Sequence, residues 1–592
     1  MPVEIVSYVE LQDVFPGQEC TIGHLAECLR SLPLDLVLEM CARVNRVASG
    51  PSELGPMERQ RRLAGEILSQ EALENLTRTT RGTGEEDAPR RFLFHRRQLL
   101  ELTRWALLLC DAHARQPERP WNQDERNRFV QAALISSWLS ETRVRAVLGE
   151  NESTEGLRDI ALVFFRQALD AGLMGVDPWR VVGRGRKLFI EYLPRHFPGL
   201  DERFLAATDL LPLEYVTAAG ALISMHLQLE STMIMADAHA LGSDTSYASQ
   251  YRRYQDLQVW NRDGLRAKWW PRLEVPNDPT ELPGLSLRPL RDKPMISLGD
   301  GRGVIPDAII LADSLTAGPL FHLLRVADEN EVFGRFGDAV EEYVRDLLAS
   351  RYGTPAMLHR VFHPNLRIAA APGDGGSLEL DACLDYVEQL VLVEVKAVFL
   401  PDDAVIACDE ARFKEDLKEK YLQGERPVGI RQLARAMRSL RAGTWTGPEG
   451  NGIPQLVYPV LAVHDRLLQE PMASAYLASL LVEELSATPV ACSWQWELGS
   501  LRFAPLTLVT LDDLENLENS PGIDIVDLLR SYSEAVPKRN GSLHDHIANT
   551  DRFRAELRIS ESLATAATDF LADCARRVFG RDPGAKKRPN EE

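Results

Sequence analysis

The chain is expected to fold as an α+β protein: a long helical N-terminal region, then a mixed sheet with flanking helices, then further helices. Three observations carry that expectation. Apolar residues recur at helical spacing from about residue 20 to 270, as in Leu99, Leu100, Leu102, Trp105, Leu107 and Leu108, and again in Ile160, Leu162, Val163, Phe165 and Leu169. The proline-rich stretch PNDPTELPGLSLRPLRDKP (276–294) cannot continue a helix and marks a boundary. Beyond it, two β-rich runs, SLELDACLDY (377–386) and QLVLVEVKAV (389–398), follow one helical stripe and precede another.

Taken in order, residues 1–275 read as an all-α region. Gly50-Pro51, Gln116-Pro117 and Asp177-Pro178 punctuate it at helix-hairpin lengths, and no strong strand signal or fixed repeat appears. Residues 276–330 read as a linker with short strands near Met295–Leu298 and Ala308–Leu311. In 333–353, Phe336, Val340, Val344, Leu347 and Leu348 share one stripe, and Gly353 closes the helix. A helix over 429–441, a strand over 455–464, a helix after 470 and a strand near 506–510 complete a domain of 331–535 with its core in 331–465. Helices to about 580 fill the rest of 536–592, and the tail GAKKRPNEE is expected to be disordered.

At 592 residues the chain exceeds one compact core, and about four domains are expected. Its net charge of −20 excludes a uniformly basic nucleic-acid coat and a polybasic membrane anchor, so any nucleic-acid contact is local and falls with salt. The eight cysteines (20, 28, 41, 110, 383, 408, 492 and 574) contain no C-x-x-C pair, which argues against a zinc knuckle or a secreted disulfide framework. The N-terminus lacks a basic n-region and apolar h-region, and no run of about 18 apolar residues follows. A soluble, cytoplasmic protein with reduced thiols and no membrane partner is the expectation.

The chemistry gathers at the hairpin. If Val387 and Glu388 form the turn, paired positions sum to 775, so Asp381 faces Glu394. Directly opposed side chains have Cβ atoms roughly 4.5–5.5 Å apart, within reach of a shared cation. Strand alternation puts Lys396 on the face of Glu394 and sends Val393 and Val395 into the core. Two carboxylates so close repel unless a lysine or a divalent ion compensates, and oxygen-only ligands favour Mg²⁺ or Mn²⁺. Such an ion binds a phosphate and activates water, which points to phosphodiester hydrolysis, with Lys396 positioning the water or neutralising the phosphorus centre.

Asp381, twelve intervening residues and then Glu394-x-Lys396 at the end of LVLV resemble the PD-(D/E)XK nuclease superfamily, the restriction-endonuclease-like fold. The resemblance covers 331–465 well, extends over 286–535, and stops short of the first 270 residues. It implies a first-helix glutamate, matched by Glu341 in FGDAVEEYV with Glu342 as its neighbour and competitor, and a substrate-contacting Gln432 in GIRQLARAM. Glu341, Asp381 and Glu394 would then hold Mg²⁺ or Mn²⁺. Leu380 stands where the family's motif has proline, a backbone feature and not a ligand. Glu379, by the hairpin register, faces Lys396. The resemblance implies DNA more than RNA as substrate. A fusion to helices that recognise a protein partner, a substrate end or an activating signal looks like an effector of prokaryotic antiphage or foreign-DNA defence. Two alternatives stand beside it: a catalytically silent nucleic-acid or protein-binding scaffold, and an RNA- or tRNA-cleaving toxin.

Between Ala411 and Arg441, nine Lys and Arg outnumber four acids. Arg431, Arg435 and Arg438 fall at i, i+4 and i+7 on one helix face, with Leu433, Met437 and Leu440 on another. The basic face is a candidate phosphate-backbone contact or a solvated surface. GDGRG (299–303) lacks a following Lys-Ser/Thr and reads as a hairpin turn. His544, Asp545 and His546 read as a surface turn at a helix start, and Trp105, Trp269 and Trp270 as helix packing.

Overall fold

Leucine and tryptophan at helical spacing do what the periodicity predicts: in the computed structural model Arg96–Leu109 is a helix whose Leu99, Leu100, Leu102 and Trp105 are buried. His95 caps it by accepting from the Gln98 N–H, and Gln98 reaches back to the His95 N–H. The structure describes residues 7–49, 55–81, 91–111, 121–149, 178–228, 233–235, 245–272, 274–275, 278, 281–299, 302–353, 360–369, 377–399, 410–423, 428–443, 454–465, 468, 471–491, 493–535, 542–558 and 561–579. The stripe of Ile160, Leu162, Val163, Phe165 and Leu169, the breaks at Gly50-Pro51, Gln116-Pro117 and Asp177, Cys408, Cys492 and the tail 584–592 lie outside the described residues.

The N-terminal helices pack round a core that includes Leu25, Leu38, Leu102, Trp105 and Phe129 and extends to Trp269, Trp270, Leu298 and Ile310. Trp105 and Trp270 sit 4.8 Å apart between ring centroids, and both Trp269 and Trp270 donate to backbone carbonyls, so these rings pack helices. Short strands interrupt the region expected to be all-α: β1 (Ser7–Tyr8) pairs with β2 (Arg91–Phe92), and β3 (Met233–Met235), β4 (Val259–Trp260), β5 (Met295–Gly299) and β6 (Arg302–Val304) form a small sheet. Strands of two or three residues are too short to leave a period in sequence. The GDGRG hairpin is present, with Gly299 at φ +84 between β5 and β6 and its tip, residues 300 and 301, outside the described residues.

The strand expected near Ala308–Leu311 is instead a helix, Ala308–Asp313. Asp307 decides this by accepting from the Ile310 N–H at 2.8 Å as N-cap. Its carboxylate is fixed by the buried Arg96 guanidinium and by Asn45, more than 200 residues distant in the chain.

The main sheet holds β7 (Val361–Ala369), β8 (Ser377–Asp385), β9 (Gln389–Lys396), β10 (Leu456–Val463), β11 (Thr488–Pro489), β12 (Trp496–Leu498), β13 (Leu501–Phe503) and β14 (Thr507–Thr510). Its order is β11-β12-β13-β10-β9-β8-β7, with β14 also pairing β10. β7, β8 and β9 run antiparallel, whereas β9, β10 and β14 are parallel, so the sheet is mixed. The chain between β9 and β10 includes the helices Glu410–Tyr421 and Ile430–Arg441, the second of which is the helix expected over 429–441.

Both faces of β9 are covered, which is why it reads as an unbroken apolar run. Val391, Val393 and Val395 pack with Phe336, Val340 and Val344 of the helix Glu329–Tyr352 and with helices between 178 and 228. Leu390 and Leu392 face Leu433, Met437 and Leu440 of Ile430–Arg441. Asp328 caps Glu329–Tyr352 at its start. Gly353 ends it at φ −70, not in a left-handed turn, and a Cβ there would strike the Ala349 carbonyl, which suits the position to glycine.

The hairpin turn falls on Val387-Glu388, and Val387 takes φ +72. A β-branched residue in the left-handed region is strained by about 1–2 kcal/mol, whereas glycine there costs only chain entropy. Val387→Gly is therefore expected to stabilise the protein by about 0.5–1 kcal/mol in urea denaturation. An unchanged or lower midpoint would count against strain at this exposed position.

Candidate functional site

The strand pairs Ala382–Val393, Cys383–Leu392, Leu384–Val391 and Asp385–Leu390 carry the register the turn predicts. One step further brings Asp381 level with Glu394, but there the ladder stops. Asp381 Oδ2 instead accepts from the Val395 N–H at 2.7 Å, taking the place of a backbone carbonyl. Across the sheet in β7, Asn365, the residue level with Asp381 in the β7–β8 register, takes φ +52. Asparagine tolerates that conformation. Past this point β8 changes faces: Leu384 and Ala382 belong to the core of Glu329–Tyr352, whereas Leu380 and Leu378, of the same parity, belong to the core of Ile430–Arg441. Asp381 thus sits where two strands fork.

Glu394 is completely buried. Its Oε1 lies 2.7 Å from Lys396 Nζ, and its Oε2 has no hydrogen-bond partner among the described residues. Glu341, on Glu329–Tyr352, is the acid that joins them. Burial, then the charge of Asp381, pushes its carboxyl up to about 7. Glu342 points elsewhere, to Arg195 at 2.7 Å and His196 at 2.6 Å, contacts that outweigh its partial burial and hold its carboxyl below the usual range. Of the two neighbouring glutamates, Glu341 is the one whose carboxyl feels Asp381 and Lys396.

Burial raises the carboxyls of Asp381 and Glu394 as well, Glu394 strongly, despite the attraction of Lys396. Burial alone would lower Lys396, but Glu394 and Asp381 reverse that and keep it charged. Three acids thus share one ammonium, and the cluster lacks positive charge. Among the described residues no three His, Cys, Asp or Glu side chains are gathered closely enough to hold a metal ion as the chain stands. The buried, unpaired Oε2 of Glu394 is nonetheless the kind of hard oxygen donor that Mg²⁺ or Mn²⁺ takes.

Gln432 reaches β8, where its Nε2 donates to the Glu379 carbonyl. Glu379 does not face Lys396 as the extended register predicted. The β8–β9 ladder has already ended, and its carboxylate lies 3.5 Å from Arg367 on β7. Leu433, Met437 and Leu440 are buried as expected, and Arg431, Arg435 and Arg438 are half-buried. Arg438 is engaged in packing, donating to the Glu484 carbonyl and to its Oε1 at 2.9 Å on the helix Pro471–Leu485.

Sequence reasoning missed Arg345. It stands one turn after Glu341 and its charge lowers both Glu341 and Asp381. The i, i+4 spacing from Glu341 was the signal available. Asp545 and Ser542 form a capping box, and His546 meets Ser531 Oγ at 3.0 Å, in keeping with a helix start. Among the described residues no helix is long and apolar enough to cross a membrane. Comparison of the chain with protein-family models, with curated proteins and with solved structures finds no match.

Proposed function

We propose that this protein is a metal-dependent nuclease of the PD-(D/E)XK type that hydrolyses phosphodiester bonds, DNA more than RNA. The observation that carries the reading is the fully buried Glu394, with one oxygen unpaired, beside Asp381, Glu341 and Lys396. A buried carboxylate oxygen left without a hydrogen-bond partner is costly, and such groups concentrate at functional sites. Glu341, Asp381 and Glu394 would hold Mg²⁺ or Mn²⁺, which when bound lowers the pKa of water and offsets charge on phosphate oxygens. Lys396 would orient the attacking water, and Asp381 is pre-positioned by its bond to the Val395 N–H. Gln432, fixed on the Glu379 carbonyl, and the basic face of Arg431 and Arg435 would line the substrate path. The six described cysteines are free thiols, as a reducing cytoplasm leaves them. The N-terminal helices would recognise a protein partner or activating signal, as in an antiphage effector, a role argued by analogy.

One observation favours a silent scaffold instead: Lys396 already neutralises Glu394 at 2.7 Å, as a structural ion pair would. Incubation with Mg²⁺ or Mn²⁺ and plasmid, single-stranded DNA or total RNA separates the readings. The wild type is expected to cleave DNA, and Asp381→Ala and Lys396→Ala to lose at least about 100-fold of that rate. Absence of cleavage on every substrate with either metal would overturn the nuclease reading in favour of the scaffold. Loss of RNA with DNA intact would reassign the substrate.

A further inference from the structure

Arg345 is a cation beside a surplus of acids that pairs with none of them. Its charge reaches Glu341 and Asp381, yet among the described residues its hydrogen bond goes to a neutral partner, Asn365 Oδ1. Asp338, the acid two turns before it, lies 3.6 Å from Arg335 instead. Asn365 is exposed, stands level with Asp381, and presents its amide from the left-handed kink in β7. A guanidinium has five N–H donors in a planar fork, and a single amide oxygen leaves most of them open. Lys396, by contrast, is occupied by Glu394 and mostly buried. An arginine parked on a neutral amide, next to carboxylates but not bound to them, keeps its charge for an incoming anion.

We infer that Arg345, docked on Asn365, is a substrate-binding residue that pairs with a backbone phosphate of the nucleic acid at the Asp381–Glu394 site. This rests on the nuclease reading and names a contact of that same site. A guanidinium suits the task because it meets a phosphate bidentately. Asn365 thus holds the phosphate contact level with Asp381 across the β7–β8 pair.

The test measures binding of labelled duplex DNA, single-stranded DNA and RNA across a KCl series, using Asp381→Ala protein to prevent cleavage. Adding Arg345→Ala is expected to weaken binding about tenfold and to reduce the slope of log affinity against log salt by about one. Arg345→Lys is expected to keep the slope. Asn365→Asp is the discriminating variant, because it places a carboxylate on the guanidinium and takes it from the phosphate. It is expected to weaken binding as Arg345→Ala does, without lowering the thermal midpoint. If the contact with Asn365 is structural only, Asn365→Asp strengthens it and leaves affinity unchanged, which overturns the inference. An unchanged salt slope in Arg345→Ala overturns it too, with the nuclease reading intact. If the Asp381→Ala protein binds none of the three probes, both fall together.

Discussion

Replacing Glu515 by alanine is expected to destabilise the protein by about 3–5 kcal/mol, because it strands two buried arginines. Glu515 is 1% exposed and lies on the helix Leu511–Glu518. Its Oε1 takes Arg184 Nε at 2.6 Å and the Tyr343 hydroxyl at 2.8 Å, and its Oε2 takes Arg180 Nη2 at 3.0 Å and Arg184 Nη2 at 2.7 Å. Asp512 supplies a carboxylate and a carbonyl to the same guanidinium pair. Removing Glu515 leaves charge in the core with too few acceptors, whereas Glu515→Gln keeps an acceptor for Tyr343 and is expected to cost less. Urea denaturation of the two variants checks this, and a loss below about 1 kcal/mol for Glu515→Ala would mean that the arginines find other compensation. The network matters beyond stability. It joins the helix Pro178–Arg186 to Glu329–Tyr352 two residues past Glu341, so the candidate site leans on chain far outside the sequence motif.

In metal-free buffer, Glu341 is expected to withdraw stability as pH rises from 4.5 to about 7, read as the difference between wild type and Glu341→Gln, because the buried His322 imidazole, pushed down to about 3, acts in the opposite direction over much of that range. Glu341 binds its proton with a pKa of about 7 in the folded protein against 4.5 unfolded. Between those values the folded state holds more protons than the unfolded state, so raising pH favours unfolding. The favourable contribution is complete below pH 4.5 and is lost as pH passes about 7, on the order of 3 kcal/mol for this one group. Asp381 and Glu394, also raised by burial, act in the same direction. Millimolar Mg²⁺ should restore stability above pH 7 by supplying the missing positive charge, and Glu341→Gln should gain stability relative to wild type as pH rises from 4.5 to about 7. Parallel profiles of wild type and Glu341→Gln in chelator, or no response to Mg²⁺ or Mn²⁺, would show that the acids are adequately neutralised by Lys396. This readout needs no substrate and so tests the charge imbalance apart from catalysis.

What the amino-acid order determined by itself was local. The turn at Val387-Glu388 set the hairpin register, the period of two placed Lys396 with Glu394, and the period of 3.6 drew the stripe of Glu329–Tyr352. Those patterns are legible because each repeats within a few residues. β7 was not legible, since VFHPNLRIA carries proline and asparagine at its centre and mostly exposed side chains. Neither was the end of the β8–β9 ladder, where the Asp381 carboxylate takes the Val395 N–H, nor the true partner of Glu379.

Tertiary structure decided the rest by selecting among equivalent local options. Glu341 and Glu342 are adjacent on one helix, and only the packing of Arg195 and His196 against that helix sends Glu342 away from the site. Residues 308–313 are apolar enough for a strand or a helix, and the Asp307 cap, clamped by Arg96 from 211 positions away, chose the helix. Contacts of that range leave no period in the sequence, because their energy depends on which surfaces meet and not on the order of neighbours along the chain.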